Sequence, residues 1–188
     1  MRINVLTPGF TTSNSSAFLF PFVVHNKTLM NAQFDVQILK RSSPNITNCD
    51  VLAIDSKEFR NDWSGQSQSQ TLDLLESYQN SGATVIWFDT TDSSGTLQSQ
   101  VFPFVQKYLK SQVLVDKTRY TDHIYGGRVY SDYYKNTFGI TDEVDDALDN
   151  PITSANAQKL GVSWNSGLAD YSTYGSWKIA LYRRFGLS

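Results

Sequence analysis

The sequence predicts an α/β fold, a Rossmann-like three-layer sandwich built on a mainly parallel sheet. Two observations support this prediction. Short apolar runs without polar alternation are typical of strands that are covered on both faces. The segments between the runs are long enough for the crossover connections that parallel strands require. The four clearest runs are residues 3–6, 34–39, 51–54 and 85–88.

The first helix is predicted between the first two runs, over residues 15–31. Its apolar stripe extends from Phe22 to Met30, as expected for a helix that packs on a sheet. Pro21 suits a first-turn position, because a proline there removes no helical hydrogen bond. The order is therefore strand, helix, strand.

The second half of the sheet follows the same logic. Residues 71–78 predict a surface helix that Gly82 ends, since glycine is common just after a helix. A short helix to about Phe102 and a fifth strand over residues 104–109 are expected next, with Pro103 marking the break. An acidic connector, residues 142–150, precedes a last helix over residues 176–185.

Length and composition indicate one globular domain. The chain has 188 residues, of which 40% are hydrophobic and 18% charged. It can therefore bury a core, and its composition is not that of a disordered chain. The net charge of -2 argues against nucleic acid or an anionic membrane as partner. Neither a signal peptide nor a transmembrane segment is predicted, and the one cysteine, Cys49, fits a reducing compartment. We therefore expect a cytoplasmic protein.

Candidate binding residues follow the strands, because ligands of open parallel sheets bind at the carboxyl ends of the strands. Polar tails follow the first, third and fourth runs, and we expect them to meet at one edge. Gly9 and Phe10 belong to the first tail, which lacks the spacing of a phosphate-binding loop. Asp55 opens the second tail, where a structural hydrogen-bonding role competes with ligand binding.

The third tail is the stretch Asp89-Thr90-Thr91-Asp92-Ser93-Ser94-Gly95. One aspartate or serine suffices to cap a helix, so capping does not explain the whole run. Two alternatives remain open: hydrogen bonding within a turn, or recognition of ligand hydroxyls. The carboxylate of Asp89 would face the cleft in the second case and could act as a general base. Two histidines without paired ligand spacing predict no metal site.

The tyrosines after position 120 suit stacking on sugar rings or pairing with a partner. Four segments carry a family resemblance: "VIWFDTTDSSGTLQ", "YGGRVYSDYY", "FGI" and "VSWNSGLADY". Together they resemble the amino-terminal halves of bacterial-type glycosyltransferases with the GT-B fold, which are associated with capsule and surface-polysaccharide clusters. The likeness runs from the first strand to about Tyr182.

The resemblance implies an acceptor-binding domain that faces a second domain across a cleft. That second domain would hold a nucleotide-sugar donor and would follow Ser188, so we expect no turnover by these residues alone. The acceptor would be a sugar or glycan, and neither metal nor cofactor is implied. A non-catalytic, flavodoxin-like binding or interaction module is the alternative.

Asp89, where the fourth run ends, is the catalytic candidate, and the resemblance places it among the acceptor-side residues. The candidate substrate-binding residues are Gly9, Phe10, Asp55, Thr90, Thr91, Asp92, Tyr125, Gly126, Gly127, Arg128, Asp132, Tyr133, Asn165 and Asp170. Structural roles compete for several of them. Gly126 and Gly127 could form only a turn, Arg128 and Asp132 an ion pair, and Tyr133 part of the core.

Overall fold

A computed structural model describes residues 1–91, 93–141, 143 and 150–164. It contains one six-stranded sheet in which every neighbouring pair is parallel, with the order β2-β1-β3-β4-β5-β6. The strands are β1 Arg2–Leu6, β2 Asp35–Leu39, β3 Val51–Asp55, β4 Thr84–Asp89, β5 Lys107–Lys110 and β6 Leu160–Val162. The predicted α/β class is confirmed.

Helices and short 3-10 segments connect the strands. The helices are α1 Ser13–Val24, α2 Asn26–Asn31, α3 Gly65–Gln79, α4 Val129–Phe138 and α5 Ser154–Ala157. The 3-10 segments are Ser56–Phe59, Ser99–Phe104, Lys117–Thr121 and Tyr125–Gly127. No helix in the described part of the chain combines the length and apolar character that a membrane span needs.

Alternating side chains of the strands supply two separate cores, one on each face of the sheet. On one face, Val5, Ala53 and Phe88 pack with Phe18 and Leu19 of α1. The ring of Trp164, which follows β6, is stacked on Phe18 with 5.7 Å between ring centroids. α1 and Trp164 thus cover this face of the sheet.

The opposite face holds the larger core. Leu6, Ile54 and Trp87 of the strands pack there with Leu75 of α3 and Phe102 of the 3-10 segment that precedes β5. Every one of these side chains is fully buried. Because both faces are covered, a side chain of a central strand is buried whichever way it points.

The prediction of a single helix over residues 15–31 is wrong. The helix starts earlier, because the hydroxyl of Thr12 accepts a hydrogen bond from the amide of Ser15 and caps α1. It breaks at His25, where α2 begins a new segment. Pro21 therefore lies inside α1 rather than in its first turn, close to the end where the break occurs.

The connection from β2 to β3 contains no helix among its residues 40–50. This loop crosses β1 on the face that also carries α3, and Ile46 enters the core there. Asn4 of β1 fastens it, because its amide nitrogen donates to the carbonyl oxygens of Asn45, at 3.2 Å, and Ile46, at 2.8 Å. A loop thus takes the place of a helix over β1.

The structure differs from the prediction at the edge of the sheet formed by β5 and β6. The fifth strand is Lys107–Lys110 rather than residues 104–109, since Ser99–Phe104 forms a 3-10 segment. A sixth strand, Leu160–Val162, was not predicted. The predicted helix over residues 176–185 lies outside the described residues, as does most of the acidic connector.

Candidate functional site

The carboxyl ends of β1, β3 and β4 meet at one edge of the sheet, as predicted. Asp55 joins them, because its carboxylate accepts hydrogen bonds from the hydroxyls of Thr7 (3.0 Å) and Thr90 (2.9 Å). The strand order reverses direction between β1 and β3, where β2 lies on one side and β4 on the other. Such a switch point is where open α/β sheets bind their ligands.

Asp55 is fully buried and is held by neutral donors. Besides the two hydroxyls, the amide of Lys57 donates to its carboxylate at 3.0 Å and caps the 3-10 segment. The hydroxyl of Ser56 also accepts from the amide of Thr90 at 3.1 Å. Asp55 therefore fixes the relative positions of three strand ends, and the structural role proposed for it is the one the contacts support.

The rim above this network is formed by hydroxyl and amide groups. The first turn of α1 begins at Ser13, and the side-chain amide of Asn14 donates to the carbonyl of Thr90 at 2.8 Å. Gly9 has a φ of +78°, which side chains other than glycine rarely adopt, and open space lies where a Cβ would be. A ligand can therefore approach the backbone closely at Gly9. The neighbouring Phe10 packs against the α1 core instead.

Asp89 lies in a different environment from the one predicted. Its side chain is 1% exposed and that of Lys110 is 0% exposed, and the Asp89 Oδ2–Lys110 Nζ distance is 2.7 Å. Oδ2 also accepts from the hydroxyl of Tyr108, at 2.7 Å, while Oδ1 accepts from the amide and hydroxyl of Thr91. The expectation that this carboxylate faces the cleft is wrong, because the Asp89 side chain lies on the same face of the sheet as Trp87 and is buried there against Tyr108 and Lys110.

The groups around Asp89 form a continuous buried network. Tyr108 accepts from the amide of Gln98 at 3.0 Å, and Gln98 in turn accepts from the indole of Trp87 at 2.9 Å. Burial raises the pKa of Tyr108 well above its usual value, and the negative charge of Asp89 adds to the effect. The phenol therefore stays a proton donor to Asp89. This arrangement braces the start of the 89–96 loop.

The loop after β4 is also tied to the segment before α4. The hydroxyls of Ser93 and Thr96 both donate to the carbonyl of Gly127, at 3.3 Å and 2.8 Å. A Cβ on Gly95 would lie 2.6 Å from that same oxygen. The structure thus brings Gly127 against the polar tail of β4, and both Gly126 and Gly127 are buried. The predicted turn exists, and it is a packing partner of the site.

Asp132 pairs with Arg119 rather than with Arg128. The Oδ2–Nη2 distance is 2.7 Å, and the other carboxylate oxygen accepts from the amide of Tyr125 at 3.2 Å. The guanidinium of Arg128 donates instead to the hydroxyl of Tyr130 at 2.9 Å. The alternative of an Arg128–Asp132 ion pair is not supported by these contacts. Asp132 anchors the first turn of α4.

Tyr133 is exposed on α4, so the alternative that places it in the core is wrong. The remaining predicted residues, Asp92, Asn165 and Asp170, lie outside the described residues. The sequence analysis missed Lys110. The feature that could have indicated it is a lysine two residues after Tyr108, on the same face of a strand whose other residue on that face is apolar.

A cavity of about 290 Å³ lies elsewhere, lined by residues Lys117, Thr118, Thr121, Ser154, Ala157 and Gln158. None of the predicted site residues lines this cavity. Within the described ranges, no group of three or more His, Cys, Asp or Glu side chains is placed to hold a metal ion. Comparison of the chain with protein-family models, curated proteins and solved structures finds no match.

Proposed function

We propose that this chain is the acceptor-binding part of a GT-B-type glycosyltransferase and binds a sugar at the switch point between β1 and β3. The observation that carries the proposal is the position of Asn14 and Thr90, which are partly exposed and hydrogen-bonded to each other beside the open space at Gly9, with Asp55 holding Thr90 from below. Neutral hydroxyl and amide groups match the alternating donors and acceptors of sugar hydroxyls. The nucleotide-sugar donor belongs to a second domain in this proposal, which agrees with the family resemblance.

Asp89 acts in this proposal as a positioning residue. Its carboxylate oxygens already accept four hydrogen bonds, from Thr91 (amide and hydroxyl), Tyr108 and Lys110. A general base must reach the proton it removes at hydrogen-bonding distance, directly or through one water. The buried pair with Lys110 instead holds the loop that carries Thr90 and Thr91 at the rim.

A second candidate function is a non-catalytic binding or interaction module. The order β2-β1-β3-β4-β5 is that of the flavodoxin-like arrangement, here extended by β6. That order favours this alternative, since it is shared by proteins whose single domain binds a ligand at the same switch point.

The experiment is an amide NMR titration of the chain with a panel of neutral mono- and disaccharides. We expect shift changes to concentrate at Gly9, Asn14 and Thr90. Ser13→Trp places a large side chain at the exposed start of α1 and should abolish them, whereas Ser69→Trp, on the exposed side of α3, should not. Shift changes that are equal in both variants would contradict the proposal.

A titration with nucleotides and nucleotide sugars separates the two candidates. We expect weak binding, because the donor site lies outside this chain in the proposal. A complex with a dissociation constant of about 1 μM or below, which corresponds to about -8 kcal/mol, would contradict the acceptor role and favour the single-domain module.

A further inference from the structure

Arg41 joins the β2–β3 crossover, residues 40–50, to the segment that follows β3. Its Nη1 lies 2.7 Å from a carboxylate oxygen of Asp62, and its Nε lies 3.5 Å from a carboxylate oxygen of Glu58. Its Nη2 also donates to the backbone carbonyl of Glu58. The guanidinium carbon lies 4.3 Å from the ring centroid of Phe59, which is fully buried. One side chain of the crossover thus contacts three residues of another connection of the sheet.

The segment that Arg41 contacts leads directly to the rim. It is the 3-10 segment Ser56–Phe59, which is little more than one turn long. At its beginning, the buried hydroxyl of Ser56 accepts from the amide of Thr90 at 3.1 Å. At its end, Glu58 and Phe59 contact Arg41. Because one turn connects the two sets of contacts, a shift at its end also moves the group that accepts from Thr90.

Thr90 is fastened at two points that differ in what supports them. Its hydroxyl donates to the carboxylate of Asp55, the last residue of β3, at 2.9 Å. Its amide donates instead to Ser56, which lies beyond the strand. The hydroxyl contact is therefore held by the sheet, whereas the amide contact depends on the segment that Arg41 holds. Arginine suits that task, because its planar guanidinium presents several donors to carboxylate and carbonyl oxygens in a fixed geometry.

We infer that Arg41 is a positioning residue of the rim, which couples the β2–β3 crossover to Thr90. Arg41 holds the beginning of the crossover, and Asn4 holds its middle through two carbonyls. When the crossover opens locally, Arg41 leaves with it and the segment Ser56–Phe59 loses its support. Thr90 then loses the fixed partner of its amide. Regulation of ligand binding in this way rests on the proposed function, whereas the coupling rests on the contacts alone.

Amide hydrogen exchange, measured by NMR on the chain without ligand, tests the coupling. Arg41→Met removes the guanidinium but keeps an unbranched apolar chain beside Phe59. We expect the Thr90 amide to exchange about tenfold faster in this variant, which corresponds to about 1.4 kcal/mol of local stability. The amide of Thr91, which donates to Asp89 at 3.0 Å, is the internal reference and should not change. Arg41→Lys, which keeps the charge without the planar geometry, should lie between the two.

Arg2→Met is the matched control. Arg2 also forms a partly exposed ion pair, with Asp35 at 3.3 Å, but at the amino ends of β1 and β2, away from the rim. This variant should leave exchange at Thr90 unchanged. Where Arg41→Met does not fold, Asp62→Asn takes its place, because it removes one ion pair and leaves the arginine; exchange at Thr90 should again rise.

Two results would overturn the coupling. One is an unchanged exchange rate of the Thr90 amide in the Arg41 and Asp62 variants. The other is an equal acceleration at Thr90, at Thr91 and in the strands, because the variant would then have lost only global stability. Urea unfolding of each variant gives the global value against which the local change is compared.

The coupling and the proposed function fail separately, since the exchange comparison contains no ligand. The titration with mono- and disaccharides, repeated on Arg41→Met, should show weaker binding than the unaltered chain. By linkage, a saccharide at the rim should slow amide exchange in the crossover. Absence of saccharide binding by the unaltered chain would contradict the proposed function and leave the exchange result standing. Equal saccharide affinity of Arg41→Met and the unaltered chain would overturn the regulation of binding.

Discussion

The buried pair of Asp89 and Lys110 gives the sharpest prediction. Replacing Lys110 by methionine keeps the unbranched chain up to the ε position but removes the ammonium that lies 2.7 Å from Asp89. The remaining carboxylate is 1% exposed, so solvent cannot take over that contact. Removing one partner of a buried ion pair costs about 3–5 kcal/mol. A domain of this size is stable by about 5–15 kcal/mol, so Lys110→Met should lose a large share of its stability.

Urea unfolding followed by circular dichroism measures the loss. Asp89→Asn should be destabilised similarly, because it leaves the ammonium of Lys110 buried without its counter-charge. The double variant should cost clearly less than the sum of the two single ones, since neither charge is then left alone. The difference is the coupling energy of the pair.

Lys107→Met is the matched control. Lys107 lies on the same strand as Lys110 but is exposed, so its replacement should change the free energy of unfolding by no more than about 0.5 kcal/mol. Single-variant losses that add within about 0.5 kcal/mol would show that the two side chains do not interact. A Lys110→Met variant as stable as Lys107→Met would refute the argument altogether.

Three further predictions concern packing and titration. Gly95→Ala should lower stability by about 1–3 kcal/mol, because its Cβ would lie 2.6 Å from the carbonyl oxygen of Gly127, whereas Ser94→Ala should not; thermal melts compare them. Burial raises the pKa of Tyr78 to about 12. Its stabilising contribution is therefore complete below about pH 10, its usual pKa, and is lost as the pH rises to about 12; Tyr78→Phe should show a smaller loss in alkaline unfolding. Burial also raises the pKa of the Cys49 thiol, so an aromatic disulfide reagent at pH 8 should react more slowly with the folded chain than with the chain in urea.

The strands were predictable because burial on both faces leaves a strong mark in the sequence. Runs such as residues 51–54 and 85–88 have no polar alternation, and their parallel order follows from the crossovers between them. The convergence of the three polar tails followed from the same topology. β6 left no such mark, since it has only three residues and one of them is Gly161.

The candidate site was less predictable, because its contacts depend on register. Asp89 and Lys110 are paired residues of β4 and β5, and nothing local to either residue indicates the other. The direction of the Asp89 side chain follows from its alternation with Phe88, but its burial depends on residues distant in sequence that cover that face. The position of Pro21 in the helix was mispredicted for a related reason. The start of α1 depends on one hydrogen bond, from the amide of Ser15 to the hydroxyl of Thr12.

The loop that connects β2 to β3 bears on how the native molecule opens. β1 has a helix over one face, but over the other it has this loop, which Asn4 fastens through two carbonyls. Segments with few backbone hydrogen bonds open locally, at a free energy below that of global unfolding. Amide hydrogen exchange should therefore be fast at residues 45–47 while β3 and β4 stay protected. Proteolysis under native conditions should then begin in this crossover and leave the sheet as the resistant fragment.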